Sequence, residues 1–364
     1  MSIRIPWAKP TITERERRYV AEALDSTWIS GGPFVERLER DFIGYHGSPH
    51  GLTASNGTTA LHMALLALGV GPGDEVVVPG FTFVAPGNMV VACGATPVFA
   101  DIDRDTWCVD PRAVERCLSP KTKAILCVHV YGNVCDMDAL GTLAARHELP
   151  LVEDVAEAAF SRYRGRLAGT FGELGCFSFQ ATKTITTGEG GFVLTRVPEL
   201  YAKMRVLRDH GMRKDKRYWH DTIGFNFRLT NLQAALGVAQ LEDLEAIIER
   251  RRLLYRRYRE RLGDARGIKL QAFRPEVDPV VWAIALELDP TVYPDRDQVM
   301  QALSAAGIET RPGFYPFSVM PPYHSQSLPV AEQVAARIIS VPSFPSLTEE
   351  EISFVCNQLL HLAT

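Results

Sequence analysis

Several signatures are missing from this sequence, and each absence removes a class of function. The seven cysteines, at positions 93, 108, 117, 127, 135, 176 and 356, are odd in number and never spaced as CxxC, and the nine histidines show no ligand spacing beside them. A disulfide framework or zinc site is therefore not expected, and stretches such as AILCVHV suit buried, reduced thiols. The chain has no GxxxxGK[ST], no HExxH and no GxSxG, and GEGGF at 188–192 is too loose for a dinucleotide fingerprint. Charge of neither sign prevails: 39 Lys and Arg stand against 43 Asp and Glu, a net charge of −4. That balance gives no footprint for nucleic acid or an anionic membrane. The opening MSIRIPWAKP lacks the apolar core of a secretory signal, so a cytoplasmic protein is expected.

Two stretches imitate sites and fail on inspection. Residues 76–100 carry no charged side chain, a run long enough to span a bilayer, but Pro79, Gly80, Pro86, Gly87, Gly94 and Pro97 cut it into pieces of strand or helix length. It reads as the inside of a large core. Asp101-x-Asp103-x-Asp105 begins like a calcium loop, yet Thr106 stands where the bend needs glycine and Arg112 where it needs glutamate.

What is present is a large soluble-type core. With 364 residues, 46% of them hydrophobic and 23% charged, two lobes or one large α/β domain is the expectation. Thr13-x-x-Glu16 reads as a capping box opening a helix to about Leu24, and a second helix is expected over 34–45. From residue 57 helices alternate with short β-branched runs: helix 58–68, strand EVVVP, helix 84–92, strand TPVFA, helix 111–118, strand KAILCVHV, helix 137–147, strand LVE. That rhythm predicts βαβ units and a mainly parallel sheet with helices on both faces. GCFSF and GGFVLT, flanking ATKTITTGE, predict neighbouring strands joined by a turn. One long charged helix is expected over 231–262, then a smaller α+β region with strand VVWAIALEL, helix 296–306 and a Pro-rich loop at 312–322. The chain is read as a large domain over 1–245 and a small one over 246–364, with the N-terminal segment packing on the latter.

Three local features carry chemistry. Ser55-Asn56-Gly57-Thr58-Thr59 puts small residues at the mouth of a helix, where free amides and the helix dipole suit a phosphate; an ordinary N-cap has the same look. Asp154 ends the predicted strand Leu151-Val152-Glu153-Asp154, where parallel α/β sheets gather ligands, or it caps the helix that follows. Lys183, between apolar segments, is either a solvated turn lysine or a desolvated amine nucleophile. Their order is the sign: phosphate site, acid for a pyridinium nitrogen, then a Schiff-base lysine is the set that pyridoxal 5′-phosphate needs.

On the stretches SNGTTALHMAL, GPGDEVVVPGFTFVA, GATPVFADID, HVYGNVCDMDAL, LVEDVAEA, FSFQATKTITTGEGG and GFNFRLTNLQAALG, the chain resembles the DegT family of sugar-nucleotide aminotransferases nearly end to end. The resemblance implies a PLP-dependent transferase of fold type I: a mainly parallel seven-stranded sheet between helices, plus a smaller C-terminal α+β domain. TWIS at 27–30, ITTGEGG at 185–191 and RYWHDTIGFNFR at 217–228 are most similar to the perosamine-forming branch. Those enzymes aminate C4 of GDP-4-keto-6-deoxymannose for O-antigen or polysaccharide biosynthesis. Carried over by position, Lys183 holds pyridoxal 5′-phosphate covalently and later moves the proton, and Asp154 pairs with the pyridinium nitrogen. Phe83 stacks on the ring, Gly57, Thr58, Thr59 and Ser178 hold the phosphate, and Glu157 lies beside the phenolic oxygen. Asn226 reaches the phosphate from a second subunit, so the resemblance implies a homodimer with shared active sites. Glutamate is the implied amino donor and a nucleotide-linked keto-sugar the acceptor, with Arg228, Tyr315 and His324 as substrate-binding candidates. Ser318 departs from the pattern, standing where similar enzymes often have histidine. A dTDP- or UDP-linked sugar, a cyclitol ketone, or a non-catalytic PLP-binding regulator of the same fold remain the alternatives. A dehydratase branch that has histidine at the Schiff-base position is disfavoured by Lys183.

Overall fold

The expected alternation folds into one mixed sheet with helices on both faces, in a computed structural model that describes residues 4–323 and 326–363. Two helices lead, α1 (Glu14–Asp25) and α2 (Pro33–His46). The capping box at Thr13 and Glu16 forms as read. Strand β1 (His50–Ala54) runs into α3 (Gly57–Ala67), β2 (Glu75–Pro79) into α4 (Ala85–Ala92), and β3 (Thr96–Ala100) into α5 (Pro111–Cys117). Next come β4 (Thr122–Val128), α6 (Met137–Arg146) and β5 (Leu151–Asp154). A small hairpin of β6 (Arg162–Tyr163) and β7 (Arg166–Leu167) precedes β8 (Leu174–Ser178) and β9 (Gly191–Thr195).

The strand order is β1-β9-β8-β5-β4-β2-β3. Only β9 runs against its neighbours, pairing antiparallel with both β1 and β8. Because the others are parallel, their carboxyl ends open on one edge, where α/β sheets bind ligands. The central strands are buried on both faces, which is why KAILCV and LVED read as near-continuous runs rather than alternating ones.

Strand β1 escaped the sequence reading. HGLTA is short and interrupted by Gly51, which is needed there: a Cβ would lie 2.4 Å from the Phe192 ring on the neighbouring strand. The single long helix expected over 231–262 is instead two, separated after α7 (Pro198–Arg208). They are α8 (Asn231–Glu242) and α9 (Leu244–Leu262), broken at Asp243. Asp243 closes α8 by donating its N–H to Gln240 O, and its carboxylate is held by Arg15 at 2.7 Å. The backbone of Asp243 leaves helical angles there, at φ −98° and ψ 12°.

Helix α9 belongs to two cores. Leu244, Ile247 and Ile248 pack beneath the large sheet, whereas Leu254, Tyr258 and Leu262 pack with the C-terminal elements. These are β10 (Ile268–Leu270), β11 (Val277–Asp278), β12 (Ile284–Leu288), α10 (Arg296–Ala305), β13 (Arg311–Pro312), α11 (Pro329–Ala335), β14 (Ile338–Val341) and α12 (Glu349–His361). Four of the strands form the sheet β10-β12-β14-β13, and β11 joins the β6–β7 hairpin. Ile5 is fully buried in that second core and bridges Ile308, while Trp7 Nε1 donates to Ser340 at 3.0 Å. The acids of the calcium look-alike serve the fold. Asp101 accepts the N–H groups of Val330 and Ala331, Asp103 those of Asp105 and Thr106, and Asp105 pairs with Lys269.

Candidate active site

The chain leaves β1 at Ala54 and enters α3 through a cap built by Asn56. Its Oδ1 accepts Thr59 N–H at 2.8 Å, and Thr59 Oγ1 accepts Asn56 N–H at 3.1 Å. The Thr59 hydroxyl is thus engaged within the cap, which leaves the Gly57 and Thr58 amides as the open donors at the positive end of an eleven-residue helix. Ser178, the last residue of β8, faces them. A Cβ on Gly57 would lie 2.7 Å from Ser178 Cβ, so glycine alone keeps this cradle open. Two amides, one hydroxyl and a gap that a methyl would fill fit a phosphate group.

Strand β5 sends two adjacent acids to opposite faces. The Glu153 carboxylate is fully buried and saturated: Gly169, Phe171 and Gly172 donate backbone N–H groups at 2.8, 2.6 and 2.8 Å, and His129 Nε2 lies 3.1 Å away. Asp154 accepts only Ala156 N–H on Oδ1, at 2.9 Å, among the described residues. Its other oxygen accepts no hydrogen bond from the described residues. Burial pushes the Asp154 carboxyl up from its ordinary value, while Ala156 N–H and the charges of Lys183 and His129 pull it down.

Lys183 sits in the turn between β8 and β9, with its N–H donated to Gln180 O at 2.8 Å. Its Nζ lies 3.7 Å from the centroid of the Trp282 ring. Burial pushes the ammonium down from the ordinary lysine value, Glu157 and Asp154 oppose this, and Arg251 adds to it. Glu157 is pushed up to about 7, chiefly by burial, against the pull of Lys183 and of Tyr131 N–H, which donates to its Oε2 at 3.0 Å. An acid and an amine displaced toward neutrality in one pocket are the pattern of a proton-transfer site.

Aromatic rings wall the pocket. Tyr131, held at a left-handed φ of 58° and buried, lies parallel to Phe314 at 5.3 Å and to Trp282 at 6.3 Å. Phe83, after β2, has its ring 6.3 Å from Phe314 and is 56% exposed at the mouth. A large apolar ring left uncovered next to Phe314 suits the face of a flat heterocycle.

The remaining sequence candidates lie further out. Residues 225–229 alternate: Phe227 and Leu229 are buried, whereas Asn226 and Arg228 are exposed, and Arg228 pairs with Asp209. Tyr315 is 54% exposed and stands 5.9 Å from the Arg296 guanidinium; its neighbour Phe314 is the residue that joins the aromatic wall. His324 lies outside the described residues. Ser318 donates its hydroxyl to Glu332 at 2.7 Å and so tethers α11. Cys127, His129 and Cys135 bring their donor atoms within 4.8 Å of one another. His129 is already committed at both nitrogens, to Glu153 and to Cys135 N–H, so the trio serves as packing rather than as a metal centre.

Sequence reasoning missed Tyr131, Trp282, Arg251 and Phe314. Tyr131 lay within the HVYGN stretch, but nothing local distinguishes Trp282 or Arg251 from ordinary strand and helix residues.

The raised carboxyl of Glu157 has a measurable consequence. Its folded value of about 7 exceeds the unfolded value near 4.5, so between them the folded chain holds a proton that the unfolded chain has released. This contribution to stability is complete below about pH 4.5 and is lost as pH rises through about 7. Glu157→Gln, which keeps an acceptor for Tyr131, should make the coenzyme-free chain roughly 2–3 kcal/mol more stable than the parent near pH 8. Urea titrations across pH check this: the two curves should converge in acid.

Among known proteins, residues 10–360 match the family described as the DegT/DnrJ/EryC1/StrS aminotransferase family. The chain is 43% identical over 360 residues to a Caulobacter vibrioides protein named GDP-perosamine synthase, a match covering 97% of this chain and 96% of that one. Of solved structures, the aminotransferase TlmJ from Streptoalloteichus hindustanus superposes with a TM-score of 0.94 at 31% identity, covering 98% of each chain. The sugar aminotransferase Spr1654 from Streptococcus pneumoniae, in its PMP-form, does so with a TM-score of 0.94 at 29% identity over 98% of this chain and 97% of that one.

Proposed function

Because the chain belongs to the DegT/DnrJ/EryC1/StrS aminotransferase family, we propose that this aminotransferase works with pyridoxal 5′-phosphate and moves an amino group from glutamate to C4 of GDP-4-keto-6-deoxymannose. The observation that carries the reading is the convergence of Lys183, Asp154 and Glu157 beside the Gly57 cradle, in a chain similar over its whole length to a GDP-perosamine synthase. When bound, the coenzyme supplies an aldehyde and an electron-withdrawing ring.

The protein residues do the rest. Gly57 and Thr58 amides and the Ser178 hydroxyl hold the phosphate, with Thr59 shaping their helix end. With the coenzyme bound, Asp154 would accept the pyridinium N–H and its negative charge would keep that nitrogen protonated. Phe83 would cover the ring face, and Glu157 would serve the phenolic oxygen. Lys183 would hold the aldehyde and, as a neutral amine, would be the group positioned to move the proton of the amino donor. The depressed lysine value favours the neutral amine that this step needs.

Asn226 and Arg228, turned away from their own core, reach the phosphate and substrate of a second copy in a homodimer. Tyr315 lines the sugar side. No helix among the described residues is long and apolar enough to cross a membrane, and we place the enzyme in the cytoplasm, where its free cysteines would stay reduced. Incubation with glutamate and GDP-, dTDP- and UDP-linked 4-keto and 3-keto sugars tests the assignment. NMR of the product should show amination at C4 of the GDP sugar; turnover confined to a dTDP or UDP sugar would overturn the substrate, and no turnover the reaction.

A further inference from the structure

Arg251 is a buried cation without a carboxylate. It sits on α9, is 3% exposed, and makes no ion pair among the described residues. Its guanidinium donates to two backbone carbonyls only, that of Trp282 at 2.9 Å and that of Lys183 at 3.1 Å, and its Nε has no partner. Burying a charge on such terms is costly, and apolar residues usually replace an arginine that has only packing to do.

The two carbonyls that it holds belong to one unit. Trp282 Nε1 donates to Thr182 O at 2.8 Å, and Trp282 N–H donates to Tyr131 O at 3.3 Å. Trp282 is therefore held at two backbone points and one indole point, and its ring centroid lies 3.7 Å from Lys183 Nζ. An ammonium over an indole face is an attractive contact in a desolvated site.

We propose that Arg251 and Trp282 are positioning residues for the catalytic lysine: Arg251 fastens the Lys183 turn and the Trp282 backbone to α9, and the indole is the seat on which the free lysine amine rests while it is detached from the coenzyme. The inference rests on the aminotransferase reading. The charged groups facing Lys183 are Asp154 at the end of β5, Glu157 in the turn after it, and Arg251 from α9. Arg251 and Trp282 then act with opposite signs. The guanidinium repels the ammonium and favours the neutral amine, whereas the indole face favours the ammonium.

The test measures the amine itself. Coenzyme-free full-length chain is labelled with trinitrobenzenesulfonate across pH, and modification of Lys183 is read by peptide mass. Arg251→Gln should raise the midpoint by about one pH unit, roughly tenfold slower labelling at neutral pH. Arg251→Lys should return the midpoint to the parent value. Trp282→Leu should lower it, speeding labelling severalfold. In the coenzyme-loaded chain, the absorbance change with pH should move upward for Arg251→Gln, as the labelling does. Unchanged midpoints in folded Arg251→Gln and Trp282→Leu would reduce both residues to packing and overturn the proposal. If Arg251→Gln does not fold, Trp282→Leu decides: a midpoint at or above the parent value overturns it. Failure of the aminotransferase reading has a separate sign, namely that borohydride fixes no coenzyme on Lys183 of the parent chain.

Discussion

Replacing Lys183 with alanine should lower glutamate-dependent turnover by on the order of 10⁴-fold, the upper end of what one positioned acid–base group supplies. The chain should keep its fold. Lys183 reaches its surroundings through the backbone N–H to Gln180 and the carbonyl held by Arg251, both of which alanine retains, and its side chain makes one ring contact, with Trp282. Burial already disfavours the ammonium, so removing it relieves a desolvation cost and leaves a small void beside the indole. A melting temperature at or near that of the parent, together with lost turnover and no borohydride-fixed coenzyme at position 183, is the expected set. Activity retained in a pure sample would end the assignment of this lysine.

Asp154→Asn separates electrostatics from shape. Asparagine preserves the acceptor for Ala156 N–H, so the turn after β5 should persist. What disappears is the negative charge proposed to hold the pyridinium proton. Turnover should fall by on the order of 10²–10³-fold, as when a charge-stabilising group is removed from a dry site. Coenzyme affinity should fall much less, because the Gly57 cradle and Phe83 are untouched. Rapid-mix absorbance with glutamate gives the first number and equilibrium titration of the coenzyme the second. Equal losses in both would make Asp154 a cap for the 155–160 turn and nothing more.

The parts of the site that the sequence disclosed are those made by neighbouring residues. Asn56, Gly57 and Thr59 form their cap within one turn, Asp154 ends the strand that presents it, and Lys183 lies in the short connection between β8 and β9. Their chemistry is local, so spacing reveals it. Trp282 and Arg251 were illegible because each meets Lys183 only after segments distant in the sequence pack together, and neither has a local motif. The part of Phe314 in the aromatic wall was hidden for the same reason: direction along an irregular Pro-rich loop is fixed by what the rings pack against. The break at Asp243 was hidden because α8 and α9 together present a continuous run of helix formers. Only the departure of Asp243 from helical backbone angles, at φ −98° and ψ 12°, distinguishes two helices from one.

The lone reversed strand has a consequence for how the enzyme is made. β1 lies at the sheet edge, and its one neighbour there is β9, translated far later. A nascent chain that has emerged only through β5 thus carries the Asn56 cap but lacks the strand that docks it. Since β8, the lysine turn and β9 leave the ribosome in immediate succession, the phosphate grip and the reactive amine come into being together. Gly57 and Ser178, which face each other across the cradle, are therefore brought together only once that late segment is in place.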